Sequence, residues 1–491
     1  MNRRWPKYVC RYLEKKGLPL DIALTFEDVT GVDLFSEIPS RSDKCIDTSS
    51  DLGKGICLPR PIFSANMDTI TESKMAIVLA RLGGCGVIHQ FLPIAKRISE
   101  IEKVKRADNY VVESPRVIKE SSSIREAREL MAEHHVSGLV VVEEAGEKVV
   151  GILSLRDVRW APENLEVRGR MTPLSKMVRA ESNIAIEDAK KILYEVRGEK
   201  LPIIDQHGRL VGLITSNDID KREQFKFAFR DQKGRLGVAA AVGVGKDMLK
   251  ECAALLKAEV DILFIDTARG NSSVLQRAVK EVRSSFGDKF LLSAGNVDTT
   301  DAMAMLYDAG VDLPKEGIGG GSPCKTRVGP GVGIPKITSA ASCAAVARKY
   351  KKPFISDGGV KGPDDYCKLL VAGANAVMLG GLLAATEETP GMVFFEDGET
   401  WKIFRGSASL EFQLSRTDRD PEDGHIRTPE GVPKRIRYRG EIAPIVKELV
   451  ESQHSAMSYF GARNMRELHQ KSYFFRQTHS GYEEGKPHDV F

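Results

Sequence analysis

The chain has no run of about 18 apolar residues, so no membrane-spanning helix is expected. Its eight cysteines (Cys10, Cys45, Cys57, Cys85, Cys252, Cys324, Cys343, Cys367) contain no CxxC pair and no regular spacing. That pattern speaks against a disulfide scaffold and for free thiols in a reducing compartment. Charge of one sign is also missing: 72 basic residues against 68 acidic ones leave a formal net charge of +4. With aromatics at 7%, neither an electrostatic footprint nor a stacking platform for nucleic acid is expected. The nine histidines form no metal-binding cluster, and His134-His135 falls at a helix end where solvation explains it. No apolar stretch follows the basic start Met1–Lys7, and Asp489-Val490-Phe491 matches no address tag, so a cytoplasmic location is the expectation. Proline is half as frequent as glycine, 22 against 44, and the glycine is clustered.

What is present is an alternation. From about residue 60, short apolar runs alternate with helical patterns, the signal for βα units around a parallel sheet. The expected strands are 61–67, 84–89, 237–242, 261–266, 290–296, 311–317, 353–357 and 376–379, with helices such as 246–258, 273–284, 300–309 and 363–372 between them. Eight units, several ending in Gly, Asp, Asn or His, predict a TIM (β/α)8 barrel with its chemistry at the C-terminal strand ends. A doubly wound sheet is the competing fold, and no G-x-G-x-x-G follows the first strand to support it. Pro314 inside the sixth strand is unexpected, because proline cannot donate to a sheet ladder.

About 150 residues separate the second and third strands, and they contain an internal repeat. Each copy runs helix, two-stranded hairpin, and a Ser/Thr-x-x-Asp opening a second helix, ending on Asp157 in the first and Asp218 in the second. The expected organisation is 1–112 and 226–491 as two parts of a barrel, with 113–225 inserted. The repeat resembles the CBS domain pair, an α+β module that binds adenine or guanine nucleotides. The resemblance implies ribose contacts for Asp157 and Asp218; capping of a helix explains the same positions.

Glycine collects on the loops after the later strands. The densest stretch, Gly317-Ile318-Gly319-Gly320-Gly321-Ser322-Pro323-Cys324-Lys325-Thr326-Arg327, brings backbone close to a ligand and leaves Cys324 exposed to it, with Thr326 two residues on. Asp357-Gly358-Gly359 and Gly380-Gly381 follow strands seven and eight, where barrels hold phosphate. Beside a phosphate, Asp357 suits sugar hydroxyls, so a sugar phosphate or nucleotide is expected. Asp266 ends strand four and Asn296 ends strand five, on the same face, and both suit a second polar ligand.

These motifs, with Leu24-Thr25-Phe26-Glu27-Asp28-Val29, Ser64-Ala65-Asn66-Met67-Asp68-Thr69 and Glu387-Glu388-Thr389-Pro390-Gly391, resemble the IMP dehydrogenase / GMP reductase family over nearly the whole chain. The resemblance implies that Cys324 is the nucleophile attacking C2 of IMP, with hydride passing to NAD and water releasing XMP. It implies IMP contacts from Ser64, Ser322, Asp357, Gly358, Gly359, Gly380, Gly381, Phe404, Arg405, Gly406, Ser407, Ala408 and Glu430. Asp266, Asn296, Gly317, Ile318 and Gly319 border the NAD site in this reading. Carbonyls of Gly319, Gly321 and Cys324 resemble a potassium site completed across a subunit boundary by Glu484, Gly485 and Lys486. Homotetramers, and octamers formed by stacking them, are the implied assemblies.

The chain departs from the family pattern at several positions. Arg419-Asp420 stands where dehydrogenases carry an Arg-Tyr pair that activates water. Phe404-Arg405-Gly406-Ser407-Ala408 replaces Tyr-Arg-Gly-Met-Gly, and Pro323 and Lys325 flank the cysteine. Asn66 resembles GMP reductase, whereas Gln90 replaces the reductase lysine. The inserted repeat, Arg419 and the tail favour IMP dehydrogenase. A GMP reductase carrying the insert, which deaminates GMP with NADPH, is the first alternative, and a purine-nucleotide sensor that has lost catalysis is the second.

Overall fold

The computed structural model describes residues 5–108, 115–134, 136–146, 148–180, 184, 186–196, 198–405 and 433–487. It divides into two compact units, Met1–Ala107 with Phe227–Phe491, and Asp108–Lys226.

The larger unit is a closed eight-stranded parallel barrel. Its strands are β1 (Ile62–Ser64), β2 (Cys85–Ile88), β3 (Ala239–Val242), β4 (Ile262–Asp266), β5 (Leu291–Val297), β6 (Leu313–Glu316), β7 (Ile355–Asp357) and β8 (Ala376–Leu379). All eight fall within, or within one residue of, the runs expected from the sequence. The helices α1 (Ser73–Arg81), α2 (Ile94–Ala107), α3 (Met248–Lys257), α4 (Ser273–Phe286), α5 (Thr300–Ala309), α6 (Lys336–Tyr350), α7 (Pro363–Ala372) and α8 (Ile442–Tyr459) follow the strands in turn. Local chemistry sets their ends. Ser272 and Thr299 accept the amides of Leu275 and Ala302 as N-caps, Pro363 opens α7, and Gly310 and Gly373 close α5 and α7 in the left-handed region.

Two apolar layers follow from the two-residue period of a strand. Phe63, Ile262, Phe264, Leu291, Leu313, Ile355 and Met378 fill the barrel interior. Their neighbours Ile62, Leu263, Ile265, Leu292 and Val377 pack outward against the helices. Continuing the alternation by two residues along β4, β6 and β7 carries Asp266, Lys315 and Asp357 inward, one level above Phe264, Leu313 and Ile355. The same rule turns Glu316 and Ser356 outward. Pro314 does lie within β6, opposite Ala294. Asp312 N donating to Leu292 O (3.0 Å) and Gly317 N to Val297 O (2.8 Å) hold the strand on either side of the bond that proline cannot make.

The smaller unit contains the repeat. The first copy pairs Gly138–Val142 with Val149–Ser154, and the second pairs Lys200–Ile204 with Leu210–Thr215, both antiparallel. Helices Ile124–Glu133 and Ile186–Glu195 precede the two hairpins. Val140, Val149, Ile152, Ile204 and Leu213 form a core shared by both copies. Asp157 and Ser154 form a capping box: Ser154 N donates to Asp157 Oδ2 (2.7 Å), and Asp157 N to Ser154 Oγ (3.3 Å). The side chain of Asp218 lies outside the described residues. Among the described residues, no helix is long and apolar enough to cross a membrane.

Candidate active site

A cavity of about 1490 Å³ opens at the C-terminal ends of the barrel strands. The chain turns from strand to loop there, and glycine makes the turns tight. Gly317 (φ +136°) and Gly319 (φ +73°) after β6, and Gly358 and Gly359 (both φ +87°) after β7, occupy the region that other residues avoid. The two loops pack on each other. A Cβ on Gly358 would lie 3.3 Å from Gly321 N, and one on Gly320 would lie 3.6 Å from the Gly358 carbonyl carbon.

Cys324 ends the first loop, exposed at the cavity wall. Its amide donates to Gly321 O (2.9 Å), which fixes the turn, and its Sγ lies 3.1 Å from Thr326 Oγ1. Cys85, Cys252 and Cys343 are buried instead, and burial raises each thiol's pKa, to about 12 for Cys252. An exposed thiol in a glycine loop is a usable nucleophile; a buried one with a raised pKa is not.

Beneath the loop, Lys315 bridges two carboxylates: its Nζ is 2.8 Å from Asp266 Oδ1 and 3.0 Å from Asp357 Oδ2. Burial works against the ammonium, and the charges of Asp266 and Asp357 outweigh it, so the pKa of Lys315 is raised. Asn296 Nδ2 donates to Asp357 Oδ2 and to Gly317 O, both at 2.8 Å. Thus Asp266, Asn296 and Asp357, expected as recognition residues, form one network with their outer faces on the cavity. Lys315 was not singled out from the sequence. The signal for it was its position two residues along β6 from the inward-facing Leu313.

Past β8, Gly381 lies against Ser322 and Phe404: a Cβ there would be 3.5 Å from Ser322 Cβ and 3.9 Å from the Phe404 ring. Lys434 Nζ donates to Ser322 Oγ at 3.1 Å, a second residue that sequence reasoning missed. Ser322, Gly381 and Phe404 all line the cavity, as do Gly380 and the expected cofactor-side residues Gly317, Ile318 and Gly319. Asn66 and Gln90, two of the departures from the family pattern, line it as well.

Other expected residues stand elsewhere in the structure. Ser64 does not line the cavity: the strand period turns it outward, where its buried Oγ accepts from Thr71 Oγ1 (2.8 Å). The Arg405 guanidinium is engaged by Asp68, with Nε 2.8 Å from Asp68 Oδ2 and Nη2 also in contact. Glu484, Gly485 and Lys486, expected to serve a neighbouring subunit's site, do not line this chain's own cavity. Glu484 ends the helix His479–Glu484, which follows Gln477, bonded to Asp28 and Glu27, and Lys486 pairs with Glu483. Gly406, Ser407, Ala408, Arg419 and Glu430 lie outside the described residues.

Among the described residues, no cluster of His, Cys, Asp or Glu side chains could hold a metal ion. The Gly321 carbonyl already accepts one hydrogen bond, from Cys324 N, and keeps a second lone pair.

The sequence model of the IMP dehydrogenase / GMP reductase domain matches residues 23–488. An inosine-5'-monophosphate dehydrogenase from Aquifex aeolicus is 42% identical over 473 residues, 95% of each chain. One from Nitrosopumilus maritimus is 39% identical over 95% of this chain and 98% of its own. Among solved structures, a GMP reductase variant from Trypanosoma brucei in complex with guanosine 5'-monophosphate superposes with TM-score 0.87 at 36% identity, covering 97% of this chain and 100% of that one. A complex of that reductase with guanosine 5'-triphosphate gives TM-score 0.76 at 33% identity. With its motifs on the loops of one barrel and its likeness extending over nearly its whole length, the chain belongs to the IMP dehydrogenase / GMP reductase family.

Proposed function

We propose that the protein is an IMP dehydrogenase, oxidising IMP to XMP with NAD. The observation that carries this reading is the exposed Cys324 on a glycine loop over Asp266 and Asp357, in a chain 42% identical to a named IMP dehydrogenase over 95% of both. The Cys324 thiolate adds to C2 of the purine, and the C2 hydrogen leaves as hydride with its electron pair. NAD supplies the hydride acceptor. Water then displaces the sulfur from the remaining thioimidate, releasing XMP and restoring the thiol. Asp357 holds the nucleotide ribose, Ser322 and the Gly358–Gly359 and Gly380–Gly381 turns hold the phosphate, and Asp266 faces the dinucleotide. Arg419 is assigned to the attacking water.

The donor set around Cys324 suits potassium: carbonyls of Gly319, Gly321 and Cys324 are neutral oxygens, which match a weakly hydrated monovalent ion. Glu484, Gly485 and Lys486 would complete it from a neighbouring subunit of a homotetramer. The repeat unit is assigned as a CBS pair binding a purine nucleotide, with Asp157 and Asp218 at the ribose, in a cytoplasmic enzyme.

A second reading, GMP reductase, is favoured by the structural likeness to the trypanosomal reductase bound to guanosine 5'-monophosphate. One assay separates the two. IMP with NAD is expected to produce reduced cofactor in a potassium-dependent manner. Consumption of NADPH with GMP, and no reaction with IMP, would establish the reductase instead. Nucleotide binding without turnover of either would leave the sensor.

A further inference from the structure

Behind the glycine loop, on the outward side of β6, lies a buried charge pair that the reaction above does not use. Glu316 is fully buried and the Lys336 side chain is 4% exposed, with Lys336 Nζ 2.9 Å from Glu316 Oε2. Every oxygen of the carboxylate is engaged: Ser339 Oγ donates to Oε1 and Ser356 Oγ to Oε2, both at 2.6 Å. A fully buried ion pair contributes little net stability over apolar packing of the same volume, so stability alone is a weak reason for it.

Its geometry supplies a better one. Lys336 opens α6, and its ammonium also donates to the backbone carbonyls of Asp357 (2.6 Å) and Glu316 (3.3 Å). One cation therefore ties the last residue of β6, the last residue of β7 and the start of α6. Gly317 completes the junction: a Cβ there would lie 2.6 Å from Lys336 Nζ and inside contact distance of Asp357 O. Asp357 is thus fixed at both ends, its carboxylate by Lys315 and Asn296 and its carbonyl by Lys336.

We infer that Lys336, held in place by Glu316, is a positioning residue that sets the distance between the two glycine loops and aims Asp357 at the nucleotide. The assignment of Asp357 to the nucleotide rests on the functional reading above. The tie between the loops does not.

The test compares two variants that remove the charges together, so that no buried ion is left unpaired. E316Q/K336Q keeps an N–H donor for the Asp357 carbonyl, and E316Q/K336M does not. Amide hydrogen exchange is followed in both and in the parent protein, alongside steady-state kinetics with IMP and NAD. E316Q/K336M is expected to exchange faster at residues 317–322 and 357–359 than elsewhere in the barrel. It should also raise KM for IMP about tenfold while kcat changes less than about threefold. E316Q/K336Q is expected to recover most of both. Parental exchange and kinetics in E316Q/K336M would overturn the inference, as would acceleration spread evenly over the barrel. If the parent protein turns over neither IMP nor GMP, the functional reading fails and the exchange pattern alone decides the tie.

Discussion

Lys315 and Asp357 meet at the mouth of the barrel from neighbouring strands, Nζ 3.0 Å from Oδ2, and the same ammonium also contacts Asp266. The two carboxylates end strands β4 and β7, and the lysine on β6 lies between them. Removing it should leave two partly buried negative charges facing one another. Lys315→Met is expected to lower stability by about 3 kcal/mol and to abolish measurable turnover. Urea unfolding and the IMP assay check this, and a variant of parental stability and rate would contradict it.

Cys324 is exposed, and its side chain supports no core packing. Cys324→Ala should therefore change stability by no more than about 0.5 kcal/mol while eliminating product formation. IMP binding, followed by calorimetry, should persist. Residual turnover above background would exclude the covalent route.

Gly317 sits at φ +136° against Lys336 and the Asp357 carbonyl. Gly317→Ala combines backbone strain with a clash, and strain of this kind alone costs roughly 1–3 kcal/mol. A fall in thermal midpoint is expected together with weakened IMP binding, since the clash pushes the two loops apart. Unchanged IMP affinity in the folded variant would argue against their coupling.

Lys434 reaches Ser322 from the strand Pro433–Arg437. If Ser322 holds the phosphate, the ammonium adds a charge to that contact. Lys434→Ala should then raise KM for IMP by about tenfold, as loss of one charged hydrogen bond would, and reduce the salt dependence of KM. Inosine, which lacks the phosphate, should bind the variant and the parent equally.

Stability should also depend on pH through His469. Burial first, then the charge of Lys16, pushes its pKa down to about 4, against the opposing bond between Nε2 and the Ala374 carbonyl (3.1 Å). The unfolded chain, with the ordinary value of 6.5, binds the proton more readily. Stability is thus full above about pH 6.5 and declines as pH falls towards 4, by up to about 3 kcal/mol. Urea unfolding between pH 4 and 7 should show this slope in the parent and a shallower one in His469→Gln.

The eight strands, the glycine loops and Cys324 were legible in the sequence because each is a local property. Apolar runs at strand length, glycine at turn positions and a cysteine inside such a turn do not depend on distant residues. The repeat was equally legible, since two copies of one pattern report themselves. The surroundings of Ser64 and Arg405 were not legible, for the opposite reason. Whether a side chain at a strand end faces the cavity depends on the strand's phase, and whether an arginine is free depends on a carboxylate 337 residues away.

The sequence by itself determined the barrel, the inserted repeat, the family and the candidate nucleophile, because periodicity and motif order survive without coordinates. Only the tertiary structure decided which charges meet. Lys315 and Glu316 are adjacent in the chain, yet the two-residue period of β6 sends one into the site and the other to Lys336 behind it. Closure of the barrel then brings β4, β6 and β7 together. Lys315 thereby becomes the cation between Asp266 and Asp357, and Lys336 the tie beneath them.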